Sequence, residues 1–185
     1  VFIHIHQSYN ALYLIAGNNC QHYDYDSGSI TLWGKGRIVA DDFGYYGRAP
    51  VADHNMVELP LMNNLLVRVK EFAPSASFDY VRAVLDPRAA ADETRLTPFS
   101  HIDYVYSVDS GWTRQIAFVK DTDPLGPNFF VVCDSLRSPV PATWRMWFTC
   151  DKVTLGPQGA LVVGKEDVDT DVFFVLPAKA SLTTE

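Results

Sequence analysis

Short apolar runs separated by turn residues dominate the chain. Many of them alternate with polar residues, as in F-D-Y-V-R-A-V-L at Phe78–Leu85, and this period of two is typical of half-buried β-strands. Helix signals are nearly absent. The pattern predicts strands at Val1–Gln7, Ala11–Ala16, Ser29–Trp33, Arg37–Ala40, Asn55–Pro60, Leu65–Phe72, Phe78–Leu85, Ile102–Val108, Trp112–Lys120, Asn128–Asp134, Ala142–Cys150, Asp151–Leu155, Ala160–Lys165 and Asp171–Leu176.

These elements predict an all-β fold, an antiparallel β-sandwich of about a dozen strands with almost no helix. The 185 residues suit one domain, which we place at residues 1–177, with a frayed tail at 178–185. Glycines in W-G-K-G-R at Trp33–Arg37 indicate a hairpin connection. The run F-F-V-V-C in Asn128–Asp134 has no polar interruption, which predicts a central strand buried on both faces.

Charge and cysteine content narrow the possible functions. The net charge of −7 argues against nucleic acid as a partner, since phosphate binding needs a basic face. No apolar run is long enough for a transmembrane helix. The three cysteines, Cys20, Cys133 and Cys150, form no zinc motif; Cys133 and Cys150 are expected to be buried free thiols, with a bridge between them as the alternative. Because the chain starts with Val1 inside a strand and shows no signal peptide, we expect a fragment of a longer protein.

Candidate chemistry concentrates between Asn19 and Leu59. In an extended H-Y-D-Y-D segment, His22, Asp24 and Asp26 share one face, and such a face is costly to bury unless it is paired or metal-bound. Asp42 and His54 lie nearby, beside turn signals. Imidazole and carboxylate groups suit zinc. The alternative is a polar loop rich in Asp and Gly, with His54 merely exposed.

Two further features have open interpretations. The loop Phe43–Val51 carries Tyr45, Tyr46 and Arg48, side chains that stack on sugar rings and pair with carboxylates, or that cover the end of a sandwich. Arg114 opens a predicted strand, where it either faces a groove or forms a surface ion pair.

Three motif pieces in order resemble a known family. They are Q-H-Y-D-Y-D-S-G-S-I-T-L, then R-I-V-A-D-D-F-G-Y-Y-G, then D-H-N-M-V, and T-R-Q-I-A-F-V-K with N-F-F-V-V-C-D-S-L follows them. Together they resemble the C-terminal β-sandwich domain of the heparinase II/III-like family. That family includes uronic-acid polysaccharide lyases, among them heparin/heparan sulfate and alginate lyases, and is related to dermatan sulfate epimerases.

The resemblance implies roles for particular residues. His22 matches an active-site histidine that assists proton transfer or charge neutralisation at the uronate. Asp24 stands where the family has a second histidine, a zinc ligand, and an aspartate oxygen can also ligate zinc. Asp42 and His54 match the other two ligands, with Asp41 as the neighbouring alternative to Asp42. The zinc would be structural, holding the loops beside the groove.

The resemblance also implies a reaction and a setting. The reaction is β-elimination, begun by proton abstraction at C5 of a uronic acid in an acidic polysaccharide. The family's remaining catalytic groups sit on an N-terminal helical toroid, which this chain lacks, so we expect the chain alone to be inactive. A periplasmic or secreted location is implied, with no membrane partner. The alternatives are a non-catalytic carbohydrate-binding or structural module, and part of a uronate C5-epimerase.

Overall fold

The computed structural model describes residues 2–7, 9–16, 26–44, 50–59, 67–85, 110–123, 126, 128–175 and 181–184, with residues 2–7 as backbone only. These residues form short strands and one turn of 3₁₀ helix, Val51–Asp53. The strands are β1 (Phe2–Gln7), β2 (Asn10–Ile15), β3 (Ile30–Gly34), β4 (Arg37–Ala40), β5 (Val57–Glu58), β6 (Val67–Ala73), β7 (Phe78–Leu85), β8 (Gly111–Val119), β9 (Phe129–Arg137), β10 (Thr143–Trp144), β11 (Cys150–Gly156), β12 (Gly159–Gly164) and β13 (Thr170–Phe173).

All strand pairs in the described residues are antiparallel, and they form four sheets. Two sheets have four strands each, in the orders β1-β2-β3-β4 and β6-β7-β8-β9. A three-stranded sheet has the order β11-β12-β13, and β5 pairs with β10. The predicted all-β, sandwich-like fold class is therefore confirmed.

The main core lies between the two four-stranded sheets. Alternate residues of β7 and β8 are buried, as the period of two predicts. Leu12, Leu14 and Ile30 from one sheet share a cluster with Ile116 and Phe118 from the other. Each such side chain contributes about 1.5–3 kcal/mol on full burial, so this layer carries much of the stability.

The hairpin predicted at Trp33–Arg37 is confirmed. Lys35 (φ 50°) and Gly36 (φ 78°) both adopt the left-handed conformation that a two-residue type I′ turn requires. Asn10 holds the turn, because its side-chain oxygen accepts the Lys35 N–H at 2.9 Å.

One predicted strand is wrong in extent. Within Ala142–Cys150, only Thr143–Trp144 forms a short strand, followed by an isolated bridge between Ala40 and Phe148. The backbone between them bonds to irregular structure instead: Arg145 N–H donates to the Met56 carbonyl, and Trp147 N–H to the Asn55 side chain. The strand predicted at Ile102–Val108 lies outside the described residues, as does the predicted domain boundary at residue 177, which stays a prediction.

The prediction of a central strand at F-F-V-V-C is also wrong. In the described part of the chain, β9 pairs only with β8 and is the edge of its sheet. Phe129 and Val131 lie on the exposed face of β9, with 53% and 47% of their surface accessible, so the strand is not buried on both faces. Cys133 and Cys150 are free, as expected, but Cys133 is exposed and not buried. Among the residues described here, no helix has the length and apolarity to span a membrane.

Candidate functional site

Asp42 and His54 meet beside the first four-stranded sheet. Asp42 follows the end of β4, and His54 ends the 3₁₀ turn that leads to β5. The His54 Nδ1 atom lies 3.3 Å from Asp42 Oδ2. The His54 side chain is 1% exposed and that of Asp42 is 22% exposed. The structure thus brings together two of the three predicted metal ligands and rules out an exposed His54.

Local hydrogen bonds decide which of two adjacent aspartates faces His54. The Asp41 carboxylate accepts the Thr31 hydroxyl at 3.2 Å and the Asp42 backbone N–H at 3.0 Å. The other oxygen of Asp42 accepts the Gly44 N–H at 2.8 Å, in a turn where Gly44 has φ 71°. Asp41 therefore stabilises the end of β4, and Asp42 is left to contact the imidazole.

Electrostatics keep Asp42 ionised. Its hydrogen bond with His54 lowers the pKa of the Asp42 carboxyl; partial burial opposes this effect, while the Gly44 N–H and the charge interaction with His54 lower it further. A carboxylate held in its charged form is suited to pair with imidazole or to ligate a cation.

Asp42 and His54 are donor types that zinc accepts, and their separation suits either a shared zinc ion or a direct hydrogen bond. Two ligands about 2.0–2.1 Å from a tetrahedral zinc ion lie about 3.3 Å apart, which matches the His54–Asp42 separation. The other ring nitrogen of His54, Nε2, is buried and has no hydrogen-bond partner within the described part of the chain. A buried imidazole nitrogen without a partner is costly, and a metal at Nδ1 would leave this cost in place, so Nε2 is a separate feature of the site.

The remaining predicted site residues lie outside the described residues. They are His22 and Asp24 of the first motif and Tyr45, Tyr46 and Arg48 of the loop. Among the described side chains, no three His, Cys, Asp or Glu groups converge on a point where a metal would bind. The third metal ligand, the catalytic histidine and the sugar-contacting loop therefore stay predictions.

Asn55 is a residue of the site that the sequence reasoning did not single out. Its backbone N–H donates to Ser29 Oγ at 3.1 Å and its side-chain N–H to the Ile30 carbonyl at 2.9 Å. Its side-chain oxygen accepts the Trp147 N–H, and its own carbonyl accepts Arg114 Nη1 at 2.9 Å. Both backbone groups and both polar atoms of the side-chain amide thus have a partner, which fixes the residue next to His54.

Arg114 lies in the interior, so neither a groove-facing position nor a surface ion pair is right. Its side chain is 0% exposed and forms a bidentate pair with Asp134, with both N–O distances at 2.9 Å. Asp134 also accepts the indole N–H groups of Trp112 at 2.7 Å and Trp144 at 3.0 Å. These hydrogen bonds offset the cost of burying the Asp134 carboxylate. The carboxylate in turn balances the buried charge of Arg114.

An exposed aromatic side chain borders the Asp42–His54 pair. Phe43 is 59% exposed and contacts Trp147 edge to face, with ring centroids 4.8 Å apart. Trp147 is itself held by an indole hydrogen bond to the Ala52 carbonyl at 2.9 Å. The sequence reasoning passed over Phe43 in favour of the tyrosines that follow it.

Fold and site together define an all-β sandwich-like protein with a buried imidazole–carboxylate pair at the end of one sheet. A search of solved structures finds a similar chain, described as heparinase III, with a TM-score of 0.59 and 15% sequence identity. The similarity covers 83% of this chain and 23% of that one, so the chain spans about a quarter of the length of the solved structure. At this identity the likeness shows a shared fold and a distant structural relationship.

No protein-family model matches the sequence. No curated protein matches it either.

Proposed function

We propose that this chain is the β-sandwich portion of a uronic-acid polysaccharide lyase that acts by β-elimination. The observation that carries the proposal is the contact of the buried His54 side chain with the half-buried Asp42, in a fold shared with a protein described as heparinase III. In the parent protein, a helical domain would complete the groove. A periplasmic or secreted location and an acidic, uronate-containing polysaccharide partner belong to the same proposal.

Asp24, Asp42 and His54 would hold a structural zinc ion. When bound, the ion would neutralise the buried donors and fix the chain beside the groove. The imidazole and carboxylate donors of the two described ligands and their 3.3 Å separation support this assignment. Asp42 would enter the site already ionised, because its pKa is lowered.

Other residues of this chain would contact the sugar beside the zinc site. Tyr45, Tyr46 and Arg48 would bind the sugar rings and the uronate carboxylate. A base would take the C5 proton, the electron pair would form the C4–C5 double bond, and the C4–O bond would break with protonation of the leaving oxygen. His22 would assist this proton transfer or neutralise the carboxylate as charge develops.

Metal content of the purified chain tests the zinc site. We expect about one equivalent of zinc, lost in Asp42→Ala and in His54→Ala. Asp41→Asn is the matched control, because it removes the neighbouring carboxylate but keeps an oxygen that can accept the Thr31 hydroxyl and the Asp42 N–H. Loss of zinc in the control as well, or a folded chain without zinc at saturating concentrations, would contradict the assignment.

Lyase activity is tested in the full-length parent. We expect His22→Ala to reduce activity by a factor of about 10²–10⁴, as for the loss of a positioned acid or base. The assay follows the ultraviolet absorption of the unsaturated uronate, which elimination forms and epimerisation does not. Near-normal activity of a folded His22→Ala protein would exclude the proposed role.

A non-catalytic carbohydrate-binding module is the second candidate, and one observation favours it. Phe43 presents an exposed ring that is held by Trp147, as in a sugar-stacking platform. On this alternative, Phe43→Ala would abolish binding of a uronate oligosaccharide while His22→Ala would not change it. A parent chain without a helical domain would favour the alternative further.

A further inference from the structure

The buried Arg114–Asp134 pair lies directly behind the candidate site. Arg114 comes from β8 and Asp134 from β9, and the two residues are cross-strand partners. The indole groups of Trp112 and Trp144 donate to the same carboxylate, so Asp134 accepts four hydrogen bonds. The guanidinium also lies over the Trp112 ring, with Cζ 4.8 Å from the centroid. The side chain is therefore held in one position by charge, hydrogen bonds and packing.

The other terminal nitrogen of the Arg114 guanidinium, Nη1, bonds to residues outside its own sheet. Nη1 donates to the Gly28 carbonyl at 2.7 Å and to the Asn55 carbonyl at 2.9 Å. Gly28 belongs to the turn before β3, and Asn55 directly follows His54. One buried cation thus joins two segments that are distant in sequence, one of which carries His54.

No other side chain can supply this set of bonds. Arginine has five N–H donors in a planar fork, and four of them are used here. Lysine has three donors on one atom and cannot form a bidentate pair while reaching two carbonyls on the far side. The contact is therefore specific to the guanidinium.

Close packing fixes the position of the turn at Gly28. Gly28 has φ +102°, and a Cβ atom there would lie 2.5 Å from the Trp112 ring. Only glycine lets the backbone approach the indole so closely, and this approach brings the Gly28 carbonyl to Arg114. The Ser29 hydroxyl then receives the Asn55 N–H, which connects the two segments again.

We propose that Arg114, held by Asp134, is a positioning residue for His54. Through the Asn55 and Gly28 carbonyls it sets the backbone on which the imidazole stands, so that Nδ1 faces Asp42 and Nε2 stays in the interior. This inference concerns the geometry of His54. Its consequence for zinc rests on the proposed function.

The test compares two buried ion pairs of one sheet. Arg114→Lys keeps the positive charge but removes the planar, bidentate guanidinium. Asp134→Asn keeps the shape of the side chain but removes its negative charge. Asp79→Asn is the matched control, since Asp79 pairs with Lys120 in the same sheet and is equally buried. The ring-nitrogen resonances of His54 are measured by NMR at one fixed pH in zinc-free protein and assigned with His54→Gln. The zinc dissociation constant is measured in parallel.

We expect both Arg114→Lys and Asp134→Asn to move the His54 ring-nitrogen resonances and to weaken zinc binding about 10–100-fold, the range found when the support of a metal ligand is lost. Asp79→Asn should lose stability without changing either quantity. If Arg114→Lys does not fold, Trp144→Phe removes one hydrogen bond from Asp134 and is expected to move the same resonances less.

Unchanged His54 resonances in folded Arg114→Lys and Asp134→Asn would overturn the proposal, and so would equal shifts in Asp79→Asn. A wild-type chain that binds no zinc, combined with shifted resonances in the two variants, would reject the zinc site and uphold the positioning role. The two ideas can thus fail separately.

Discussion

Two buried ion pairs occupy the sheet formed by β6, β7, β8 and β9, and they differ in what they connect. Arg114–Asp134 has side chains that are 0% and 9% exposed, and Lys120–Asp79 has side chains that are 11% and 5% exposed. Burial is therefore comparable. Arg114 bonds to carbonyls 86 and 59 positions away, whereas Lys120 bonds to Asp79 and to the Ser75 carbonyl at the adjoining hairpin.

The difference shows how a buried charge acquires a role beyond its own strand. Lys120–Asp79 stabilises one turn, because Asp79 also accepts the Ser75 N–H at 3.1 Å. Arg114–Asp134 joins β8, β9 and β10 to the turn at Gly28 and to the loop at Asn55. The Arg114–Asp134 pair therefore bonds to the segment that carries His54, whereas the hydrogen bonds of the Lys120–Asp79 pair go to the turn before β7.

The largest effect is expected from Arg114→Met. Removing the cation leaves Asp134 buried with an uncompensated charge and takes one donor away from each of the Gly28 and Asn55 carbonyls, so we expect a loss of about 3–5 kcal/mol in the free energy of unfolding. Urea denaturation measures it. The double variant Arg114→Met, Asp134→Leu should recover part of the loss, because it removes the orphaned charge as well. If Arg114→Met lowered the free energy of unfolding less than Lys120→Met does, the proposed difference between the two ion pairs would be wrong.

The next effect is expected from Gly28→Ala. The new Cβ atom would sit 2.5 Å from the Trp112 ring on a residue at φ +102°, so strain and overpacking add, and we expect a loss of about 2–3 kcal/mol. Gly44→Ala is the control, since Gly44 also has positive φ but has nothing near its Cβ direction. Equal losses would mean that the approach to Trp112 costs nothing beyond backbone strain.

The sequence predicted the sheets better than it predicted the polar interior. Alternation gave Phe78–Leu85 with its bounds, because one face of β7 packs on the core and the other does not. The sequence pattern was wrong for β9, because an apolar run does not show whether its strand is exposed on one face or buried on both. The strand at Ala142–Cys150 failed because its backbone bonds to Asn55 and Met56, partners nearly ninety positions away that no local pattern contains.

The candidate site was partly predictable for a similar reason. Asp42 and His54 carry recognisable ligand chemistry, so the motifs singled them out before any geometry was known. Arg114 was misread, although W-T-R-Q-I-A-F places it on the inward face with Trp112, Ile116 and Phe118. An arginine on such a face requires a buried acid, and that signal could have found Asp134 as its partner. The contact of Arg114 with the Asn55 carbonyl could not be predicted, because it depends on tertiary packing alone.

A smaller effect is expected from Lys120→Met at the hairpin. Lys120 donates two hydrogen bonds whereas Arg114 donates four, so we expect a loss of about 1–2 kcal/mol in the free energy of unfolding, less than for Arg114→Met. Zinc affinity should stay at the wild-type value, because nothing in this pair touches the Asp42–His54 segments. If Lys120→Met weakened zinc binding as strongly as Arg114→Lys, the two ion pairs would not differ in the way proposed.

The smallest effect is expected from pH at Asp42 in zinc-free protein. Its folded pKa is lowered from the ordinary value of 3.8, mainly by the hydrogen bond with His54, so the folded state favours the carboxylate. The resulting stabilisation is present above pH 3.8 and is lost as the pH falls through the lower folded value. Asp42→Asn removes this dependence, so its deficit relative to wild type should narrow on acidification below about pH 4. Denaturation curves between pH 3 and 6 measure the deficit. A constant deficit for Asp42→Asn across this range would contradict an ionised Asp42 bonded to the imidazole.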